Sequence, residues 1–219
     1  MKNYIYPIVF LFLVSCGQSK ESENREAVKK ENIQDTPAVG TDPSSIAISP
    51  SSVEEIKQVY TATVNKLQSG SLDSTSFKYD CNGERRGTVT YFFDKGKLSI
   101  IKHAYSEYDH YSATDQYFVN DDELFFAHLK EVTWSFESGG AAEGATKDNI
   151  TERRYYVVKE KSIHCLEKKY TIRSHSSDNP QPEQVQSKEV ACKPASSLNV
   201  DFRKLIAFRT SSDHSCLKK

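Results

Sequence analysis

The chain has 219 residues, with 29 Lys and Arg against 30 Asp and Glu and a formal charge of −1. A balance this close gives no polybasic surface, which argues against a nucleic-acid partner and against an electrostatic membrane patch. The 12 Tyr and 11 Phe, set against 1 Trp and 1 Met, combine with many Thr and Val to favour strands.

Residues 1–15 read as a lipoprotein signal peptide. Lys2 supplies a positive charge, and an apolar run follows from Pro7 to Val14. That run is far shorter than the roughly 20 residues a membrane-spanning helix needs, but it fits a signal-peptide core. Small Ser15 before Cys16 suits a peptidase with a narrow subsite. The stretch Leu13-Val14-Ser15-Cys16 resembles the lipobox of bacterial lipoproteins. The resemblance implies a diacylglyceryl thioether and an acylated amino group on Cys16. Each buried CH2 contributes ~0.8 kcal/mol, and two or more chains anchor stably where one does not. Gly17 is not the Asp that marks inner-membrane retention, so the resemblance implies the outer membrane. Gln18-Ser19-Lys20-Glu21-Ser22-Glu23 resembles a Lys-acidic surface-export tag, and reads equally well as a solvated linker.

Residues 16–50 are expected to form a lipid-anchored disordered tether. Residues 17–50 hold no aromatic side chain and are dominated by polar types and Pro. They cannot bury enough apolar surface to offset the entropy of ordering. As a coil the tether would reach about 30 Å. Residues 51–219 remain as a single β-rich domain with flanking helices.

The first helix is predicted over 52–69. Ser51 would cap it, and Glu54 would complete a capping box. Val53, Ile56, Tyr60, Val64 and Leu67 share one helical face, and Gly70 ends the helix. From Phe77 the period changes. Residues 77–81, 86–94, 97–105, 114–119, 123–136 and 152–173 read as strands. Asn82-Gly83, Asp94-Lys95-Gly96 and Asn120-Asp121-Asp122 mark turns. Tyr91–Leu98 and Tyr117–Leu124 repeat one strand–turn–strand pattern, and Tyr155–Lys161 is a degenerate third copy. Glu137–Ile150 supplies the longer second interval. The fold class is therefore mainly β (α+β): an antiparallel meander, as a curved sheet or open barrel of three repeated hairpins. Residues 174–189 read as a loop. Residues 197–209 read as a C-terminal helix with Leu198, Phe202, Leu205 and Ile206 inward. Both helices are expected on one sheet face, giving two layers. Over 77–165 the repeat resembles small uncharacterised bacterial lipoproteins built from the same hairpin, which implies a scaffold and a location rather than an activity.

After Cys16 four cysteines remain: Cys81, Cys165, Cys192 and Cys216. An even count in an exported protein reads as two disulfides. Of three pairings, Cys81–Cys165 with Cys192–Cys216 is favoured because the second would tie down the C-terminus. A zinc site competes, but no CxxC or HxxxH spacing supports it. No GxGxxG or Walker-type loop suggests a cofactor, and no GxSxG elbow a triad. Of the six histidines, His110 sits beside Asp109 in an expected loop, and His164, His175 and His214 stand apart. His103 and His128 fall on repeat-related strands and are expected to approach each other. Tyr91, Phe93, Tyr117, Phe125 and Tyr155 would form an aromatic face, for core packing or for an apolar ligand.

The expected function is that of a non-enzymatic envelope lipoprotein. Membrane lipid would hold it through acylated Cys16, and the domain would meet an envelope protein, a glycan or a small apolar ligand. No catalytic or metal-binding residue is assigned. Phe77–Gly83 with Tyr79 and Cys81, then Val89-Thr90-Tyr91, Ser112-Ala113-Thr114, Tyr117 and Trp134, loosely resemble the membrane-bound inhibitors of c-type lysozyme. That resemblance implies a β-barrel with Ser112 in an inhibitory loop, although Asp115 stands where that family continues with Gly. A third reading is an envelope hydrolase, which needs a cleft where His and Asp or Glu converge with a nucleophile.

Overall fold

The computed structural model describes residues 49–139, 142–192 and 195–217, all within the unit Ser44–Lys219. The signal peptide, Cys16 and the tether up to residue 48 lie outside the described residues. Helix α1 spans Val53–Gln68. Its N-cap is Ser52, whose side chain accepts from the Glu55 N–H at 3.2 Å. The Glu55 carboxylate in turn accepts from Ser51 N at 2.7 Å. The cap therefore lies one residue beyond the expected Ser51/Glu54 pair, because in a helix starting at Val53 the third position is Glu55.

Eight strands follow: β1 Asp73–Cys81, β2 Arg85–Asp94, β3 Lys97–Glu107, β4 Tyr111–Asn120, β5 Glu123–Phe136, β6 Thr146–Val158, β7 Lys161–Arg173 and the short β8 Lys188–Glu189. Each pairs antiparallel with the next, in the order β1 to β8. The sheet is an open meander, not a closed barrel. Helix α2, Ala195–Arg209, closes the chain's regular structure.

The repeat is visible in the backbone. Lys95-Gly96, Asp121-Asp122 and Lys159-Glu160 turn the three hairpins with positive φ at both residues, the conformation that matches strand twist in a two-residue turn. Each hairpin also slips register at an equivalent place: between Phe92 and Phe93, Phe118 and Val119, Tyr156 and Val157.

That slip follows runs of consecutive apolar residues, and such runs fill both faces of the sheet. On one face Ile100, Phe118, Phe126 and Tyr156 pack under Ile56 and the stripe of α1. Tyr60 sits 4.9 Å from both Phe118 and Phe126. On the other face Tyr91, Ile101, Tyr117, Ala127 and Val157 pack under Leu198, Phe202, Leu205 and Phe208 of α2. The two helices thus cover opposite faces, and the domain has three layers rather than the two expected. Phe125 belongs to the α1 face, not with Tyr91 and Tyr117. The expected aromatic face is closed by α2: the Tyr91 hydroxyl donates to the Leu205 carbonyl at 2.6 Å.

Both disulfides form, but the pairing is Cys81–Cys216 and Cys165–Cys192. Cys81 ends β1 and Cys165 lies on β7, so in an open sheet about six strand spacings, roughly 29 Å, separate them. The chain after α2 runs beside β1, where Asp80 N donates to Ser215 O at 2.9 Å, and this brings Cys216 to Cys81. Cys192 follows β8, and Val190 N donates to Cys165 O at 3.0 Å.

Candidate functional site

On the α2 face the register lines side chains into rows across the sheet. Tyr91, Ile101, Tyr117, Ala127 and Tyr155 form one row, lying under the helix. Two residues further from the hairpin turns the row reads Val89, His103, Asp115, Leu129 and Arg153. The next reads Tyr79, Gly87, Tyr105, Ala113 and Glu131. After it come Cys81, Arg85, Glu107 and Tyr111. The face therefore changes from apolar to ionisable along the strands. Gly87 and Ala113 flank Tyr105 with almost no side chain, and a cavity of about 470 Å3 opens there. Asp201, Lys204 and Leu205 of α2 and Leu217 of the tail complete its wall.

Gly87 has a specific task. A Cβ there would lie 2.7 Å from the Ala104 carbonyl oxygen and 2.8 Å from the Tyr79 hydroxyl. Its absence lets Tyr79 cross β2 to reach Nε2 of His103 at 2.8 Å. His103 is 2 % exposed and stacks on Tyr105 with centroids 4.4 Å apart. Burial, helped by the Arg85 guanidinium, pushes His103 down to about 3, so the imidazole is neutral at physiological pH. Burial also raises Tyr79 to about 12. The phenol therefore keeps its proton and can donate it to Nε2.

Arg85 is held by several groups, although its buried Nε makes no hydrogen bond among the described residues. Its guanidinium lies 4.4 Å from the Tyr105 centroid, its Nε is 3.3 Å from Glu107, and its Nη1 donates to the Leu217 carbonyl at 3.3 Å. Asp115 differs. Among the described residues its carboxyl makes no hydrogen bond and no ion pair. Burial, then the charges of Glu131 and Asp201, raise it to about 7, with Arg85 pulling the other way. Glu131 pairs with Arg153 at 2.8 Å. Tyr117 is 2 % exposed and lines the same cavity. Its hydroxyl makes no hydrogen bond among the described residues, and burial with the nearby Asp115 drives its titration far up.

A second buried polar group lies on the α1 face. Glu152 accepts from Tyr170 at 2.8 Å and pairs with Lys168 at 3.1 Å and His128 at 3.2 Å. Burial would raise Glu152, but these donors outweigh it and hold the carboxylate below its ordinary value. Every member of that network has a partner, as a structural network requires.

The residues singled out from sequence scatter. His103 and His128 face opposite sides of the sheet and do not meet. His110 lies in the β3–β4 turn, against Trp134. His164 pairs with Glu189 at 3.3 Å, and His214 stacks on Phe77 at 4.0 Å. Ser112 is in strand β4, opposite Ser106 and Val132, not in a loop. Among the described residues no group of three His, Cys, Asp or Glu side chains is placed to hold a metal ion, and no helix is long and apolar enough to cross a membrane. Sequence reading missed Arg85, Tyr105, Glu107, Asp115 and Asp201. Asp115 carried a usable signal: it alternates with Ala113 and Tyr117 on one strand face, so a carboxylate holds an inward position. The chain was compared with known protein families, curated proteins and solved structures, and none matches it.

Proposed function

We propose that this chain is a lipid-anchored envelope protein whose folded domain binds a small polar ligand in the cavity beside α2. The anchor rests on Leu13-Val14-Ser15-Cys16 after its apolar run. The binding role rests on one observation: Asp115 and Tyr117 line a cavity with polar groups that no described residue satisfies. Both groups open onto the cavity rather than being sealed away from it, so a ligand with matching partners can complete them. The ligand is polar rather than apolar, because the apolar face is covered by α2 and the open part is lined by charges and phenols. An outer-membrane position follows from Gly17 in the same reading of the lipobox.

One observation favours a hydrolase: a carboxyl titrating near 7 is well matched to acid–base work. The binding reading is better supported, since among the described residues no Ser, Thr or Cys lines the cavity and His103 binds protons too weakly for a general base at that pH. The anchor is tested by expressing the full chain with an alkyne fatty-acid label. The wild-type protein should take up label and sediment with membranes, and Cys16→Ser should do neither. Labelled Cys16→Ser protein in the membrane fraction would remove the lipobox from the argument.

A further inference from the structure

The unpaired carboxyl and the unpaired phenol sit in one cavity, and together they define the charge and hydrogen-bonding pattern of what fills it. Asp115 is ringed by acids it cannot neutralise. Its own strand offers Tyr111 and Tyr117, and β3 offers His103, Tyr105 and Glu107. Tyr79 of β1 joins His103. From β5 Glu131 faces it, and from α2 Asp201 and Lys204. Among the described residues two cations are nearby and neither pairs with it. Arg85 of β2 is committed to Glu107, the Tyr105 ring and the Leu217 carbonyl. Lys204 makes no ion pair among the described residues, so it does not answer Asp115 or Asp201. His103 is neutral and supplies no charge.

Resting on the binding reading above, we infer that the cavity takes a small primary ammonium compound, its N–H groups donating to the Asp115 carboxylate and to the Tyr117 hydroxyl oxygen. A quaternary ammonium would meet the charge but give Tyr117 no donor. A carboxylate or phosphate would face Glu107, Asp115, Asp201 and Glu131, with Lys204 alone uncommitted among the described cations. The phenol rings of Tyr105, Tyr111 and Tyr117 add surfaces that favour a cation over a neutral isostere.

Binding is coupled to a proton. The ammonium pairs with ionised Asp115, and the free protein holds that group half-protonated near pH 7. An ammonium probe keeps its own charge throughout this range. Affinity should therefore rise about tenfold from pH 6 to pH 8, as the ionised fraction grows from about a tenth to about nine-tenths.

The test is calorimetric titration of the full chain in detergent micelles with n-butylammonium chloride. Uncharged n-butanol and N-acetylglucosamine serve as controls. The expected result is binding of butylammonium, about tenfold tighter at pH 8 than at pH 6, with n-butanol at least tenfold weaker. Asp115→Asn should abolish both the affinity and its pH dependence, while melting no lower than wild type. Tyr117→Phe should weaken binding about three- to tenfold. Equal binding of butanol, a flat pH profile, or full affinity in folded Asp115→Asn would each overturn the inference. Uptake of N-acetylglucosamine in place of butylammonium would overturn it too and leave the binding reading standing. No heat with any of the three probes would count against both.

Discussion

Asp115→Asn should stabilise the ligand-free protein, and only above acid pH. The native carboxyl titrates at about 7, and an unfolded Asp titrates at about 3.9. A raised native value means that the folded state binds the proton more tightly. Below about pH 4 both states are protonated and the group is neutral to stability. Between about pH 4 and 7 the unfolded chain ionises first, so stability falls as pH rises, and above pH 7 the penalty is constant. At ~1.4 kcal/mol per pH unit, a gap of about three units sets an upper bound of roughly 4 kcal/mol. Water in the open cavity raises the local dielectric and reduces this to about 1–2 kcal/mol. His103 acts in the opposite direction: its lowered value favours the fold above about pH 6.5 and is lost as pH falls towards 3. Comparing wild type with Asp115→Asn at each pH cancels that contribution. Thermal melts from pH 4 to 8 should superimpose at pH 4 and diverge by about 2–8 °C at pH 8, at 2–4 °C per kcal/mol for a domain of this size. An Asn variant that melts below wild type at pH 8, or a difference that does not change with pH, would refute the assignment of Asp115 as an unpaired, partly buried carboxyl.

The remaining predictions concern the frame around that group. Gly87→Ala places a Cβ against the Ala104 carbonyl and the Tyr79 hydroxyl. It should lower stability by about 2–4 kcal/mol in denaturant titration, and the nitrogen chemical shifts of His103 should change as its bond to Tyr79 is lost. Of the two disulfides, Cys81–Cys216 closes a span of 135 residues and Cys165–Cys192 one of 27. Loop-closure entropy then ranks Cys81→Ala/Cys216→Ala at about 5 kcal/mol and Cys165→Ala/Cys192→Ala at about 3.5 kcal/mol. Guanidinium midpoints in the reverse order would show that local contacts, not chain entropy, dominate.

Strands and hairpins were legible because their determinants are local. Asn82-Gly83 and Lys95-Gly96 carry the residues that tolerate positive φ, and the β-branched and aromatic runs between them do the rest. The layering was misread as two layers, although the chain carries a signal for three that alternation alone overlooks. Tyr91-Phe92-Phe93, Tyr117-Phe118-Val119 and Tyr155-Tyr156-Val157 are consecutive apolar runs, and such a run loads both faces of a sheet. Two buried faces need two covers, which places α1 and α2 on opposite sides. The disulfide pairing was not legible, since it depends on which sheet edge the C-terminal segment follows, and nothing near Cys216 encodes that. The cavity was half legible. Its inward Asp115 and His103 stand in the strand pattern. Its walls depend on Asp201 and Lys204 of α2 and on Leu217, which arrives from more than a hundred residues away.

That distant wall links the site to the compartment in which the chain matures. Arg85 is held partly by the Leu217 carbonyl, and Leu217 adjoins Cys216. Other ties of the tail include the Asp80–Ser215 backbone bond, the stack of His214 on Phe77, His214 Nε2 donating to the Phe208 carbonyl at 2.8 Å, and the burial of Leu217 in the core under α2. Ordering a residue costs about 1–2 kcal/mol of backbone entropy, and a hydrogen bond returns about 1 kcal/mol net. The cross-link to Cys81 adds to these contacts by removing chain entropy from the unfolded state. Such a bond forms and persists outside reducing compartments. The signal peptide proposed for residues 1–15 would deliver the chain to that environment, so one export step would both anchor the protein and permit its cavity to close.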